Sequence, residues 1–508
     1  MNQTLSKSDY MLFLRHPAWL WLKKYDKQKL PLIDDNLQTM FDSGNVFESY
    51  ANQLFPGSTK LGFNNYNEYL NLPSRTLEAI NNNAPIILQG RLESEGITCI
   101  FDVLQKVGDK EFDLIEIKAS TKAKPEHEYD LAFQLLVLEK AGYLVRNISV
   151  FHANKDYIRN GEIYPKGITA QTDVTQKVKA LKEITQQQIV AAFKVLEQKE
   201  MPNLSPRYVN KIGVPGVKWF EEWMDIYKTL KPNSDPYNIY ELSYPSAEQI
   251  GKLEDAGITQ IVDVPNELAL RPKQLAQIKT TRENKRIIDK EMIQEFMDTF
   301  EYPLYFFDYE TMSSVIPQFD GLSPYKDYPF QYSLHVLEST DAELKHLEYL
   351  HNENTNPMPG LLAQLQKDIG DTGTVLTWNM KFEKGCNLRM GKLYPEYEEF
   401  LVNLNERIND LMIPFSNMWF FDKDFFGSAS VKKVLPVLAP ELSYKELSVG
   451  EGLLAQRTWT KTVLEGKNQA NRDQIMEDLS KYCTLDTFAM VRILEELKKV
   501  VKNEQKKE

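Results

Sequence analysis

The sequence predicts a multidomain α/β protein, and three observations lead there. The chain has 508 residues, a length that ordinarily divides into about three domains, and its 42% hydrophobic and 11% aromatic content can fill several cores. In the first third, two β-patterned runs joined by a tight turn are followed by a helix-patterned run. In the last third, an almost wholly apolar run carrying two carboxylates is followed by a strand-to-helix segment and a long helix-patterned C-terminus.

Taken in order, Gly44-Asn45-Val46-Phe47-Glu48 reads as part of a helix. Ile97 to Leu104 is strand-like, Gly108-Asp109-Lys110 supplies a turn, and Phe112 to Lys118 is a second strand, so the two form a hairpin with Asp102 near one end. Phe133 to Leu138 begins a helix, and Ile168 to Gln198 has a polar helical pattern. Asn203 to Pro236, rich in Pro, Asn and Trp, reads as loops with a short helix. Ser246 to Pro265 reads as helix, Gly-Ile turn and second helix, within a plain helical linker; it resembles a helix-hairpin-helix, a unit whose turn amides hold the DNA backbone. Lys279 to Lys290 reads as a charged helix leading to a strand from Tyr302, and the charged tail after Val500 is expected to fray. No internal repeat is evident.

The chemistry concentrates first in Phe306-Phe307-Asp308-Tyr309-Glu310-Thr311. Strand side chains alternate, so Asp308 and Glu310 share a face, and two adjacent carboxylates repel unless positive charge lies between them. A divalent metal is the usual source of that charge. Val375 to Glu383 reads as a strand entering a helix, with Glu383 in its first turn, and Tyr482 and Asp486 share a helical face by their i, i+4 spacing. The ordered set D-x-E, N-x-x-F-E, Y-x-x-x-D resembles the DEDD (DnaQ-like) 3′–5′ exonucleases, which have a ribonuclease-H-like fold. That resemblance implies that Asp308, Glu310, Glu383 and Asp486 hold two divalent metals and that Tyr482 orients the attacking water. Glu383 stands where the family has Asp, which shifts the ligating oxygens.

In the first third, Glu116 and Lys118 share a strand face beside Asp102. An Asp followed by E-x-K after a hairpin resembles the PD-(D/E)XK nucleases. The resemblance implies that Asp102 and Glu116 bind metal and that Lys118 positions water or stabilises phosphate charge. RecB-type members carry a metal-site His or Glu on an upstream helix, where Glu48 stands, and a Gln-x-x-x-Tyr on the following helix, where Gln134 matches and Leu138 replaces Tyr. Leu5-Ser6-Lys7-Ser8-Asp9-Tyr10, Arg15-His16-Pro17 and Trp19-Leu20-Trp21-Leu22 resemble the opening of such proteins, with His16 read as a helix-end residue. Three cysteines, Cys99, Cys386 and Cys483, spread over both halves, exclude a four-cysteine iron–sulfur cluster. The two halves together resemble a family of bacterial proteins that joins a RecB-like nuclease module to a C-terminal domain of unknown function. Asp410-Leu411, Gly427 to Lys432, Leu435-Pro436 and Leu442-Ser443-Tyr444 to Gly452 carry further likeness to that domain.

Domains are therefore expected at 1–200 (RecB-like, restriction-endonuclease-like α/β core), 201–300 (helical linker) and 301–508 (ribonuclease-H-like mixed sheet with flanking helices). The expected activity is metal-dependent hydrolysis of nucleic acid, DNA first, using Mg²⁺ or Mn²⁺: two ions in the C-terminal site and one or two in the N-terminal site. The alternative is a catalytically impaired nucleic-acid-binding protein, or a component of a repair or defence assembly that works only with a partner. Lys432 and Gln134 are the expected nucleic-acid contacts. The net charge of −12 speaks against a large nucleic-acid footprint, though clustered site carboxylates contribute to it, and lysines gather locally at 23, 24, 27 and 29 and at 118, 122 and 124. No run is long enough to span a membrane, no signal peptide is evident at the N-terminus, and few cysteines, none in a close pair along the sequence, fit a reducing cytoplasm.

Overall fold

A computed structural model describes residues 4–32, 35–211, 213–216, 219–268, 270–444 and 447–502; the charged end at 503–508 lies outside the described residues. The chain is α/β and divides into two compact units. The first comprises Met1–Ser234, Ser246–Lys252 and Ser314–Tyr325, and the second Asp235–Pro245, Leu253–Ser313 and Lys326–Glu508. Residues 201–300, read from sequence as one linker, contribute to both.

The first unit is built on a seven-stranded sheet of β1 (Leu5–Ser6), β2 (Thr59–Lys60), β3 (Ile86–Ser94), β4 (Ile97–Gly108), β5 (Glu111–Lys118), β6 (Leu144–Ala153) and β7 (Thr169–Asp173). The order is β2-β3-β4-β5-β6-β7, with β1 added parallel to β4. The hairpin β4–β5 turns at the expected residues, with Lys110 in the left-handed region at φ 52°. Asp102 lies in the middle of β4 rather than near its end, because β4 runs on past Leu104 to Gly108, pairing its far end with β5. Alternation along β5 separates two apolar layers. Phe112 and Leu114 join Leu131, Phe133 and Leu135 of helix Pro125–Lys140, while Ile115 and Ile117 join Phe47 and Ala51 of helix Asp35–Ala51. Thr169–Asp173, expected as helix, is the edge strand β7, its polar residues tolerated because one side of an edge faces solvent; helices Thr175–Ala180 and Lys182–Glu197 follow as expected.

The second unit holds a mixed five-stranded sheet in the order β11-β10-β9-β12-β13, after the short β8 (Ile287–Ile288). Its strands are β9 (Leu304–Met312), β10 (Tyr328–Leu337), β11 (Lys345–Leu350), β12 (Thr374–Thr377) and β13 (Ile408–Asp410); β14 (Phe420–Phe421) pairs with β8. β9, β10 and β11 are antiparallel neighbours, and β12 runs parallel to both β9 and β13. Helix Arg472–Lys502 packs across β9 and β10, where Phe306 meets Met490, Ile493 and Leu494 in the core.

Two linker expectations change. After helix Ala247–Asp255 and the Gly257 turn comes one turn of 3-10 helix, Ile261–Asp263, not a second α-helix, so the helix-hairpin-helix is not formed. The charged run 279–290 is broken: helix Pro272–Glu283 stops at Asn284 in the left-handed conformation, β8 follows, and helix Lys290–Asp298 starts on the Asp289 cap. His16 sits where expected, closing helix Lys7–Arg15 and opening Pro17–Tyr25; its ring accepts from Ala18 N and stacks on Trp223 at 3.6 Å. Among the described residues, no helix is long and apolar enough to cross a membrane.

Candidate active sites

In the second unit, Asp308 and Glu310 point from β9 toward helix Arg472–Lys502, opposite Ser333 and Gln331 of β10 in register. One turn of that helix brings Tyr482, Cys483 and Asp486 to the same place. Ligand atoms of Asp308, Glu310 and Cys483 all lie within 4.8 Å of one another. Asp486 Oδ1 accepts a 2.6 Å hydrogen bond from the Tyr444 hydroxyl. Asp308, Glu310, Lys432, Gly452, Tyr482 and Asp486 line a cavity of about 360 Å³. The backbone at Gly452 runs beside the carboxylates: a Cβ there would meet Glu310 Oε2 at 3.6 Å and the Tyr482 hydroxyl at 3.9 Å, ordinary contact distances.

Glu383 is delivered by the β12-to-helix turn. Asn379 takes the left-handed conformation, and helix Met380–Leu393 starts under Asp410, whose carboxylate accepts from the backbone N–H groups of Asn379 (3.0 Å) and Met380 (3.2 Å). Glu383 is 1% exposed, and its Oε2 is buried without a hydrogen-bond partner. An unpaired buried carboxylate oxygen is costly unless a cation takes it up.

The electrostatics agree. Burial first, then the neighbouring Asp486, pushes the Asp308 carboxyl well above the ordinary range; burial and Asp308 do the same to Glu310 and Glu383. Burial also lifts Asp486 to about 6, against the Tyr444 hydrogen bond and the Lys432 charge. Among the described residues lining the cavity, Lys432 is the one cation. Its ammonium lies 5.8 Å from the ring centres of both Tyr444 and Tyr482 and donates to Gly450 O at 2.8 Å. Lys432 thus acts at the cavity as a partial counter-charge to Glu310 and Asp486. Burial and the carboxylates push the Tyr482 phenol upward, so it stays protonated at neutral pH.

In the first unit, β1 and β5 flank different stretches of β4, so the residues following β1 and ending β5 converge beside Asp102. Asp102 Oδ2 accepts from Ile117 N at 2.7 Å, and Oδ1 from Gln89 Nε2 at 3.1 Å. Gln89 also donates to Glu48 Oε1 at 2.7 Å, which joins the upstream helix to the site. Gln89 holds φ at 54° within β3, and uncommon backbone of this kind concentrates where a side chain must be aimed. Glu116 is 1% exposed: Oε1 accepts from Lys118 (2.5 Å) and Lys7 (3.0 Å), and Oε2 from Gln134 Nε2 (2.7 Å). Asp130 takes the same three donors, Lys7 and Lys118 at 3.3 Å each and Gln134 at 2.8 Å.

Gln134, expected to contact nucleic acid, is fully buried and spends its amide on Glu116 and Asp130; it positions the carboxylates. One turn later Leu138 is fully buried in the core, so apolar packing fills the place of the family's Tyr. Burial, then Glu116, raises Asp102 to about 7, whereas burial of Glu116 is outweighed by Lys118 and Lys7, which hold it below the carboxylate range. The two lysines are held charged in return.

All the candidate residues therefore fall into two constellations: Glu48, Asp102, Glu116, Lys118 and Gln134 in one unit, and Asp308, Glu310, Glu383, Lys432, Tyr482 and Asp486 in the other. Sequence reasoning assigned no role to Lys7, Gln89, Asp130, Cys483 or Tyr444.

A family model described as a domain of unknown function (DUF2779) matches residues 305–430, which include Asp308, Glu310 and Glu383 and end before Tyr482 and Asp486. The chain is similar to an uncharacterized protein of Ureaplasma parvum, 24% identical over 218 residues, 39% of this chain and 31% of the relative. It is also similar to uncharacterized proteins of Mycoplasma genitalium (26% over 209 residues) and Mycoplasma pneumoniae (27% over 206 residues), each match covering 37% of this chain. The matched stretch spans 31% of the length of each of these relatives.

Proposed function

We propose that the chain is a metal-dependent nuclease that hydrolyses phosphodiester bonds of DNA, with a PD-(D/E)XK-like site in its first unit and a DEDD exonuclease-like site in its second. The observation that carries the reading is the convergence of Asp308, Glu310, Glu383 and Asp486, four carboxyls from three separate elements, of which Glu310 and Glu383 are buried and Asp308 and Asp486 half-buried, with Lys432 as a cation beside Glu310 and Asp486 and one oxygen of Glu383 unpartnered. Such a set is unstable when ionised and fits Mg²⁺ or Mn²⁺, hard cations that take oxygen ligands. Asp308, Glu310, Glu383 and Asp486 would hold the ions of the second unit, and Asp102 and Glu116, with Glu48 behind Gln89, those of the first. Bound divalent ions would supply an activated water and neutralise charge on the departing oxygen.

The chain's own residues supply the remainder. The protonated Tyr482 phenol orients the attacking water by donating or accepting a hydrogen bond. The Lys118 ammonium, 29% exposed, faces charge that develops on phosphate.

A second reading, a nucleic-acid-binding protein with an impaired or partner-dependent site, is favoured by one observation: every oxygen of Glu116 is already satisfied by protein donors. End-labelled single- and double-stranded DNA and RNA, incubated with Mg²⁺, Mn²⁺ or EDTA, separate the two. Metal-dependent cleavage lost in D308A or E116A is expected, and the product ladder gives exo- or endonuclease action. Absence of cleavage under every condition refutes the nuclease reading.

A further inference from the structure

Lys7 enters the N-terminal site from a position 109 residues away from Glu116. Two devices fix it there. Leu5 and Ser6 pair in register with Ile97 and Thr98 of β4, and Ser6 caps the helix that Lys7 begins. The cap is reciprocal: Ser6 Oγ accepts from Asp9 N at 3.2 Å, and Asp9 Oδ2 accepts from Ser6 N at 3.1 Å. Asp9 is itself clamped by Lys23 and Lys24, each at 2.9 Å. From this anchored backbone the Lys7 ammonium lies 3.0 Å from Glu116 Oε1 and 3.3 Å from Asp130 Oδ1.

Glu116 Oε1 therefore carries two ammoniums, and Gln134 occupies Oε2. A divalent ion bound by Asp102 and Glu116 needs an oxygen of Glu116, and it repels both lysines. Lys118 sits two residues along the same strand, and Asp130 lies within 3.3 Å of either lysine. An ion bound there would leave Lys7 its contact with Asp130 while taking over Glu116. We propose that Lys7 is a positioning residue of the N-terminal site, the counter-ion that Glu116 exchanges for the divalent cation, and that it thereby sets the metal concentration at which the site fills. The inference rests on the metal-site reading above.

Mn²⁺ binding to the full chain, measured by calorimetry and electron paramagnetic resonance at fixed pH 8 in a D308N/D486N background, tests it. Lys7→Met is expected to tighten N-terminal Mn²⁺ binding about tenfold or more, since it removes a unit positive charge within a few ångströms of the ion. Lys7→Arg is expected to stay within about twofold of the parent on the same electrostatic ground. If Lys7→Met does not fold, Lys7→Gln carries the same expectation with an amide of nearly the same reach. Unchanged or weaker binding in the charge-removing variant overturns the proposal. E116Q separates the two failures. If E116Q abolishes binding while Lys7→Met leaves it unaltered, Lys7 alone was misread; if E116Q leaves binding intact, the metal reading of the site falls, and the role of Lys7 with it.

Discussion

Asp486→Asn is expected to stabilise the metal-free protein at neutral pH while disabling the site. Asp486 is half-buried at the cavity, and desolvation there lifts its carboxyl from 3.8 to about 6 even though Tyr444 donates to it and Lys432 attracts it. Between those two values the folded chain keeps a proton that the unfolded chain has lost. Stability therefore falls as pH rises through that window, and above pH 6 the full cost is present, about 3 kcal/mol at roughly 1.4 kcal/mol per pH unit. Asparagine keeps an acceptor for the Tyr444 hydroxyl and removes the charge. Urea denaturation in EDTA should show the variant more stable by about 3 kcal/mol at pH 8 and by about half of that at pH 5. Mn²⁺ should raise the stability of the parent at pH 8 by binding the folded state, and should raise that of the variant much less. A variant less stable than the parent in EDTA at pH 8, or a gain independent of pH, would refute the argument that unpaired carboxylates strain this site.

Site-specific variants should separate two activities: D102A or K118A should silence one and spare the other, and D308A or D486A should do the reverse, as read from product ladders. Loss of everything in any one variant would mean that the sites are coupled or that only one exists. Tyr482→Phe should lower the rate of the C-terminal activity by about 10²-fold, within the range of general acid–base and orienting groups, while leaving Mn²⁺ affinity within about twofold. In the first unit Asp102 sits at about 7, so protons compete with metal below that value. Mn²⁺ affinity there should weaken by up to about tenfold for each pH unit below 7 and level off above it, and a flat profile from pH 6 to 8 would contradict the assignment.

Which parts of this were legible in the sequence follows from how local each feature is. Asp308 and Glu310 share a face because strands alternate, and Tyr482 and Asp486 do so because helices turn every 3.6 residues; both were readable from spacing alone. The hairpin β4–β5 was readable because its turn residues lie between two β-patterned runs. Lys7 was not, since its role depends on β1 joining β4 and on the end of β5 coming alongside, a tertiary pairing with no local signature. Asp130 stood one turn before Gln134, a signal that the i, i+4 rule could have used. Gln134 was misassigned because a short motif does not show which helix face is buried. β7 escaped because its sequence, Thr169-Ala170-Gln171-Thr172-Asp173, has the polarity of a solvent-facing edge and not the apolar run of a central strand. The break at Asn284 was hidden among charged residues that suit a helix on both sides.

The two sites balance their charge differently before any ion arrives, and that difference orders their filling. In the first unit Glu116 and Asp130 face Lys7 and Lys118, so two of three carboxylates are neutralised by the chain itself. In the second, Lys432 is the one cation among the described residues lining the cavity and acts on Glu310 and Asp486; burial pushes up all four carboxyls, and neighbouring carboxylates add to it at Asp308, Glu310 and Glu383. A divalent ion relieves repulsion in the second site but must displace an ammonium in the first. The C-terminal site should therefore fill at lower metal concentration, by about tenfold or more if one ammonium–carboxylate contact of order 1–2 kcal/mol is given up in the other. Calorimetric titration of the full chain with Mn²⁺ at pH 8 should show two phases, the tight one removed by D308N and the weak one by E116Q. The reverse assignment would mean that burial of the four carboxyls keeps them protonated so firmly that proton loss, and not repulsion between charges, controls the second site.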